Sequence, residues 1–378
     1  MSQPGRRIQM PEGYSAFVPD ALPPVIDWTP RLVNALSDAD RAIGRLAGEG
    51  RRLPNPHVLM RPFVAREAVL SSRIEGTQAT LGELLAAEAG AVVDRSPDDL
   101  REVANYVAAL EFGMARMEEL GLSARLLREV HGRLMVGVRG GHARPGEIRE
   151  VQNWLGVPGS TPHTALYVPP PPSELATLLK DLESFLGQSF LPPLVQIALA
   201  HYQFEAIHPF LDGNGRVGRL LITLFFHHRR ILPSPLLYLS AFFEATRADY
   251  YTGLRAVSDA GAWEDWIVYF ANGVARQSED AVDRSTRILE LLDAWRLRVA
   301  GSGSDTQLRI IELLAGNPFV TAMGVSERLG VARTTATRGI ARLADLGILR
   351  QTDRKRRNRA FCAVDLLSVL EGPATLSP

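Results

Sequence analysis

Twelve consecutive residues hold most of the chemistry this chain can do: His208-Pro209-Phe210-Leu211-Asp212-Gly213-Asn214-Gly215-Arg216-Val217-Gly218-Arg219. Gly213 and Gly215 allow a tight turn whose N–H groups can point at an anion. A helix opening near Gly215 adds its free N–H groups and its positive end at the same place. Arg216 and Arg219 stand three apart in its first turn, on one face, and a guanidinium is suited to gripping phosphate oxygens. Asp212 is one carboxylate beside this nest, and Mg²⁺ is usually held by one or two carboxylates together with substrate phosphates and water. His208 is a general base for neutral pH. Each group alone has an ordinary structural reading, as a turn, a solvated helix face or a core histidine. Together they read as a site for a nucleotide di- or triphosphate, a Mg²⁺ ion and a proton acceptor.

The elements around the loop are helical. Leu194–Ala206 is an apolar helix before it, and a helix over 215–229 follows. Earlier helices are expected from Arg31 until Gly48 and Gly50 break the pattern, then over 61–73 and 80–89. Ser96-Pro97-Asp98-Asp99 reads as a helix start, with a capping serine, proline at the first position and acids at the positive end. That helix runs to about Leu120. Ser123 and Ser173 are expected to cap two more. Residues 1–30, rich in proline, should form an extended arm or a surface wrap. Between 139 and 172 the chain is rich in Gly and Pro and holds a short β-like stretch, Ala165-Leu166-Tyr167-Val168. Helices over 241–257 and 263–297 come after the loop, then a flexible linker at Gly301-Ser302-Gly303-Ser304. Alternating β/α units are absent, so a Rossmann-type sheet is not expected.

Composition bounds the rest. The 378 residues suggest two or three domains, at roughly 100–200 residues each. With 46% hydrophobic residues and zero formal net charge, the chain is neither disordered nor a basic nucleic-acid coat. One cysteine, Cys362, excludes a disulfide framework and a cysteine zinc site. The N-terminus lacks the apolar core of a signal peptide, and no window of about 18 apolar residues occurs. The cytoplasm is therefore the expected location, without membrane association.

HPFLDGNGRVGR resembles the signature of Fic-domain proteins, HPFx(D/E)GNGRxxR, at every defined position. The resemblance extends over about 100–275. It includes Gly146-Glu147-Ile148-Arg149 and Gln152-Asn153-Trp154 ahead of the loop, Tyr167-Val168-Pro169-Pro170, and Leu237-Tyr238-Leu239-Ser240 behind it. It implies a mainly α fold, a helical core with a small β-hairpin flap, and transfer of AMP from ATP, with Mg²⁺, to a hydroxyl of a target protein or of the chain itself. In that reading His208 deprotonates the acceptor Ser, Thr or Tyr. Asp212 holds the Mg²⁺. Asn214, with the N–H groups of Gly213 and Gly215, cradles the phosphates, and Arg216 and Arg219 bind their far end. The stretch Ala165–Val168 becomes the flap, an edge to which a target peptide adds as a strand.

Ser71-Ser72-Arg73-Ile74-Glu75-Gly76 resembles the family's inhibitory motif, (S/T)xxxE(G/N), through Ser71, Glu75 and Gly76. The resemblance implies that Glu75 pairs with Arg219 and so keeps the nucleotide's phosphates from the productive alignment. Some relatives with this motif also remove AMP.

The last 75 or so residues read as a separate unit. Helices over 305–314, 321–330 and 332–346 precede strands over 348–351 and 359–363, a pattern that resembles a winged helix. Arg333 and Arg338 near the start of its third helix, and Arg354, Lys355, Arg356 and Arg357 at the wing, are the residues that could meet DNA phosphates; 301–378 holds 11 basic against 7 acidic residues. The domain division is thus 1–105, a helical region with the inhibitory motif; 106–275, the catalytic core; 276–303, a helical linker; and 304–378, the winged helix. Self-association as a homodimer is left open. The competing reading is a DNA-binding regulator whose core only senses nucleotide. A metal hydrolase using His201, His208, His227 and His228 is weaker, because those histidines lack a ligand spacing with carboxylates.

Overall fold

Proline-rich as it is, the N-terminal arm folds: β1 (Gly5–Gln9) and β2 (Ser15–Pro19) pair antiparallel, Arg7 opposite Phe17. Ala16, Phe17 and Val18 of β2 are buried against the body. In this computed structural model the described residues are 4–52, 56–138, 144–232, 235–300, 305–352 and 359–372. Five helices follow the hairpin: α1 (Pro30–Arg52), α2 (Pro56–Ile74), α3 (Leu81–Glu88), α4 (Pro97–Leu120) and α5 (Ala124–Leu134). After a long irregular segment come α6 (Pro172–Leu186), α7 (Pro193–Ile207), α8 (Asn214–His228), α9 (Ser240–Ala245), α10 (Arg247–Ala260) and α11 (Trp263–Ala300). The C-terminal part is α12 (Asp305–Gly316), β3 (Phe319–Thr321), α13 (Ala322–Leu329), α14 (Arg333–Asp345), β4 (Arg350–Gln351), β5 (Ala360–Cys362) and α15 (Val364–Glu371), with β5 central in a three-stranded antiparallel sheet. The molecule is mainly α, as expected.

α7 and α8 set the frame. Almost every residue of both is buried, including Gln196, His201, Gln203, Arg216 and Arg219. A helix apolar on all sides belongs in the middle of a bundle, and these two hold the signature loop between them. Trp266 of α11 donates to the Ala198 carbonyl of α7 at 2.8 Å, so the bundle closes around them.

Several local expectations are corrected. α1 runs through Gly44, Gly48 and Gly50 to Arg52, because Leu32, Ala39, Ile43 and Leu46 are buried and packing outweighs a cost of about 1 kcal/mol per glycine. Ser96 makes no side-chain cap bond, and Ser173 lies inside α6, which starts at Pro172 after an extended Pro171. Ser123 does cap, accepting from Leu126 N at 3.2 Å. The run over 241–257 is split at Thr246 into α9 and α10.

The stretch 276–300 is no linker. It is the second half of α11, with Ala281, Ile288, Leu292, Trp295 and Val299 buried, in a helix that packs along α1. Gly273 of the same helix lies under the ring of Phe242: a Cβ there would stand 2.5 Å from ring carbon Cδ1. Gly273→Ala is expected to cost about 1–3 kcal/mol by overpacking, read as a lower urea midpoint at unchanged slope. The segment 301–304 lies outside the described residues.

The C-terminal part is not a detached unit either. Its core continues into that of the bundle, and it holds both ends of α3. The Glu371 carboxylate accepts from Gly82 N at 2.9 Å, where the helix's positive end favours it. Asn317 donates to Leu85 O at 2.9 Å and Thr321 to Ala89 O at 3.2 Å. Arg333 and Arg338 are exposed on α14; residues 354–357 fall outside the described residues.

Candidate active site

The signature loop is built from backbone outward. α7 stops at His208, which adopts the left-handed conformation, φ 49° and ψ 59°, uncommon for a residue with a Cβ. Its N–H still donates to Phe204 O at 3.0 Å. Phe210 then turns into the core, its ring stacked on His131 at 3.8 Å. Gly213 is left-handed too, φ 75°, and a Cβ on it would lie 2.9 Å from Met135 Sδ. α8 begins at Asn214.

Asn214 is held by the loop itself. Its Oδ1 accepts from Phe210 N and its Nδ2 donates to Phe210 O, both at 2.8 Å. The buried amide is thus satisfied inside the loop. It holds the loop's shape.

Glu75 lies in the turn just after α2, where Gly76 takes φ 100°. Its carboxylate reaches over Gly215, so that a Cβ on Gly215 would stand 2.3 Å from Oε1. Arg219 Nη2 donates to that Oε1 at 2.7 Å and to Ser71 O at 3.0 Å, while Nε donates to Ser71 Oγ at 2.8 Å. The guanidinium is 1% exposed and the Glu75 side chain 35%, so the pair opens to the site from the carboxylate side. Burial alone would raise the Glu75 pKa, but the Arg219 charge and hydrogen bond outweigh it and hold the carboxyl below its ordinary range. Burial pushes the Arg219 pKa down, but Glu75, Tyr250 and Glu205 together hold it above its ordinary range. A carboxylate therefore occupies the positive end of α8.

Arg216 does not join Arg219 as spacing predicts. Its buried guanidinium turns to Met135 Sδ at 3.6 Å, with Glu102 at 3.9 Å and Asp212 at 3.8 Å. Its Nε and Nη1 are buried without a hydrogen-bond acceptor among the described residues. Asp212 is half exposed, and its Oδ1 accepts from Gly213 N at 2.6 Å. Among the described residues no cluster of three metal-ligating side chains occurs. One carboxylate beside orphaned guanidinium donors fits a Mg²⁺ ion that brings its phosphates with it, and does not fit an all-protein metal cage.

His208 is half-buried beside a cavity of about 560 Å³. Its Nδ1 stands 3.3 Å from the Glu205 carbonyl, which fixes the proton there and leaves Nε2 as acceptor. Burial pushes its pKa down to about 4, so the ring is neutral at pH 7. The same cavity is lined by Glu75, Gly215, Arg219, Tyr250 and the flap residues Leu166 and Tyr167.

The stretch expected as a flap forms one isolated antiparallel bridge, Leu155 with Tyr167, and no strand. Tyr167 O accepts from Leu155 N at 2.8 Å, and Leu155 O accepts from both Leu166 N and Tyr167 N. On the other side Val168 O accepts from Phe17 N of β2 at 2.9 Å. Val168 is buried there with Tyr14 and Ala16, Ala165 packing against them. The N-terminal hairpin thus takes a place that an added strand would need, leaving Ala165 and Leu166 as the open part.

Two family models match the chain: the Fic/DOC family N-terminal region over 33–115 and the Fic/DOC family over 121–226. The chain belongs to the Fic/DOC family. This Fic protein is 31% identical over 222 residues to the protein adenylyltransferase fic-1 of Caenorhabditis elegans, covering 56% of the chain and 39% of that protein. It is 34% identical over 159 residues to the protein adenylyltransferase Fic of Drosophila willistoni, covering 40% and 29%. The chain thus spans about two fifths or less of the length of these relatives. In fold it is similar to a Fic family protein from Desulfovibrio desulfuricans G20, at TM-score 0.60 and 22% identity over 90% of this chain and 98% of that one. It is also similar to a C. elegans Fic-1 fragment, at TM-score 0.53 and 26% identity over 69% and 74%.

Three residues of the site were given no role in the sequence reading of this Fic protein. His131 on α5 is buried; its Nδ1 accepts from Gly146 N at 2.8 Å, so Nε2–H donates to Asp212 O at 3.1 Å and pins the loop. The signal was a histidine at an apolar position of that helix, among Leu127, Val130 and Leu134. Glu205 lines the cavity, with Oε1 buried and unpartnered. Burial raises it to about 8, against the pull of Arg219. Arg149 is the third. His201 is structural: Nδ1 lies 3.0 Å from Gly218 O and Nε2 2.9 Å from the Tyr250 hydroxyl. No helix among the described residues is long and apolar enough to cross a membrane.

Proposed function

We propose that this Fic protein transfers AMP from ATP to a hydroxyl of a protein, and that Glu75 restrains the reaction. One observation carries the reading: the Glu75 carboxylate sits on Arg219 at the positive end of α8, in the same cavity as His208. The names of the relatives support the reaction class. The target hydroxyl gives its proton to His208 Nε2 while its oxygen attacks the α-phosphorus; the bond to the β-phosphate breaks and pyrophosphate leaves. The N–H groups at the start of α8, with Arg216 and Arg219, would hold phosphate oxygens. Asp212 would hold Mg²⁺, which neutralises phosphate charge when bound. Positioning and charge neutralisation are what such transfers chiefly need. Arg219 cannot serve both Glu75 and a terminal phosphate, so the carboxylate competes with productive ATP. A nucleotide sensor with an inert core is the weaker reading, because His208 stands neutral with Nε2 as acceptor.

The test is incubation of wild type and Glu75→Gly with α-labelled ATP and Mg²⁺, alone and in lysate, with mass spectrometry of labelled bands. Absence of label from both proteins would refute the assignment. The rate is expected to hold from pH 8 down to about pH 5, because a base lowered to about 4 stays neutral there. An ordinary imidazole would be about 90% protonated at pH 5.5. An acid limb centred near 6.5 in the Glu75→Gly protein would contradict the buried, neutral base.

A further inference from the structure

Arg149 is a buried cation with no acid beside it. It is 3% exposed, and among the described residues no carboxylate lies within ion-pair distance. A buried charge needs compensation, and here it comes wholly from carbonyl oxygens of three separate segments. Nε donates to His208 O at 2.9 Å, Nη1 to Val151 O at 3.1 Å and Nη2 to Pro170 O at 2.5 Å. Its backbone N–H donates to Pro209 O at 3.0 Å. One residue thus grips the two successive peptides that follow the left-handed His208, and also the point where the flap segment leaves Val168 through Pro169 and Pro170. The neighbouring Gln152 repeats the pattern, donating to Pro169 O at 2.9 Å. A guanidinium suits this task because its donors diverge in one rigid plane, whereas an ammonium offers a single point.

We propose that Arg149 is a positioning residue for the transfer: it staples the carbonyl of His208 to the root of the flap, so that the base and the edge presenting the target hydroxyl keep one fixed separation. This rests on the AMP-transfer reading above. The strained turn at His208 has no glycine to relax it, so an external tie is what keeps its imidazole aimed. The charge has a second effect. The charged groups facing His208 are Arg149, Glu75 and Asp212, and Arg149 alone disfavours the imidazolium, adding to burial.

The test uses the full chain in the Glu75→Gly background, with Arg149→Met, which keeps the stem, and Arg149→Lys, which keeps the charge but not the fork. For Arg149→Met, kcat should fall about 100-fold, the scale of a misplaced reacting group, with KM for ATP changed less than threefold. The acid limb of its pH profile should move upward. Arg149→Lys should lose kcat similarly while keeping the parent pH profile. Parent kcat in either variant would overturn the proposal, as would a fall in KM affinity alone. If Arg149→Met does not fold, Arg149→Lys decides by the same kcat criterion. Should the parent transfer no AMP, the reaction assignment fails, and the staple is then read by NMR. The His208 ring titration should rise in Arg149→Met and the amides of 165–170 should exchange faster in Arg149→Lys; unchanged values in both would reject it.

Discussion

Replacing Glu75 by glycine is expected to raise the initial rate of AMP transfer about 10- to 100-fold. The carboxylate makes one charge-assisted hydrogen bond to a buried guanidinium. Such a bond is worth about 1.5–3 kcal/mol, and about 1.4 kcal/mol is tenfold in rate. The change should not damage the fold, since Glu75 lies in an exposed turn and Arg219 keeps both bonds to Ser71. It should still lower thermal stability of the nucleotide-free protein, because a buried cation loses its carboxylate. Saturating Mg·ATP should then raise the midpoint more in the variant than in wild type, since the ligand replaces the missing charge. Equal rates and equal ATP-induced shifts in the two proteins would remove Glu75 from the account.

His208→Ala, made in the Glu75→Gly protein, should lower kcat by about 10²- to 10⁴-fold, the usual contribution of a positioned base. The His208 side chain makes one weak hydrogen bond, to Glu205 O at 3.3 Å, so its removal leaves the turn and the phosphate end of the site in place. ATP affinity by calorimetry should therefore change little. A rate within threefold of the parent would mean that another group takes the proton. Glu205, which lines the same cavity with its carboxyl pushed up by burial, would be the first to examine.

Much of this was legible because it is local. Twelve residues in register specify a turn, a helix start and two arginines whatever surrounds them. What failed did so where a distant partner decides. Spacing put Arg216 and Arg219 on one face, yet their long side chains diverge, one to Ser71 and Glu75, the other to Met135 and Glu102. The N-terminal arm looked extended because prolines mark it, but Phe17 and Val18 find apolar partners and a flap carbonyl that no local pattern records.

By itself the sequence determined the chemistry on offer: a histidine, a carboxylate, a glycine nest and two arginines at one helix start, with a glutamate far upstream whose motif marks it as their opponent. Covalent order and backbone preference suffice for that. Only the tertiary structure decided where Arg216 turns, that the imidazole is neutral at pH 7 and through which nitrogen it can accept a proton, and that Arg149 ties its turn to the flap. Those outcomes depend on burial and on donors arriving from elements separated by tens of residues, and desolvation makes each such contact decisive where in water it would be worth little.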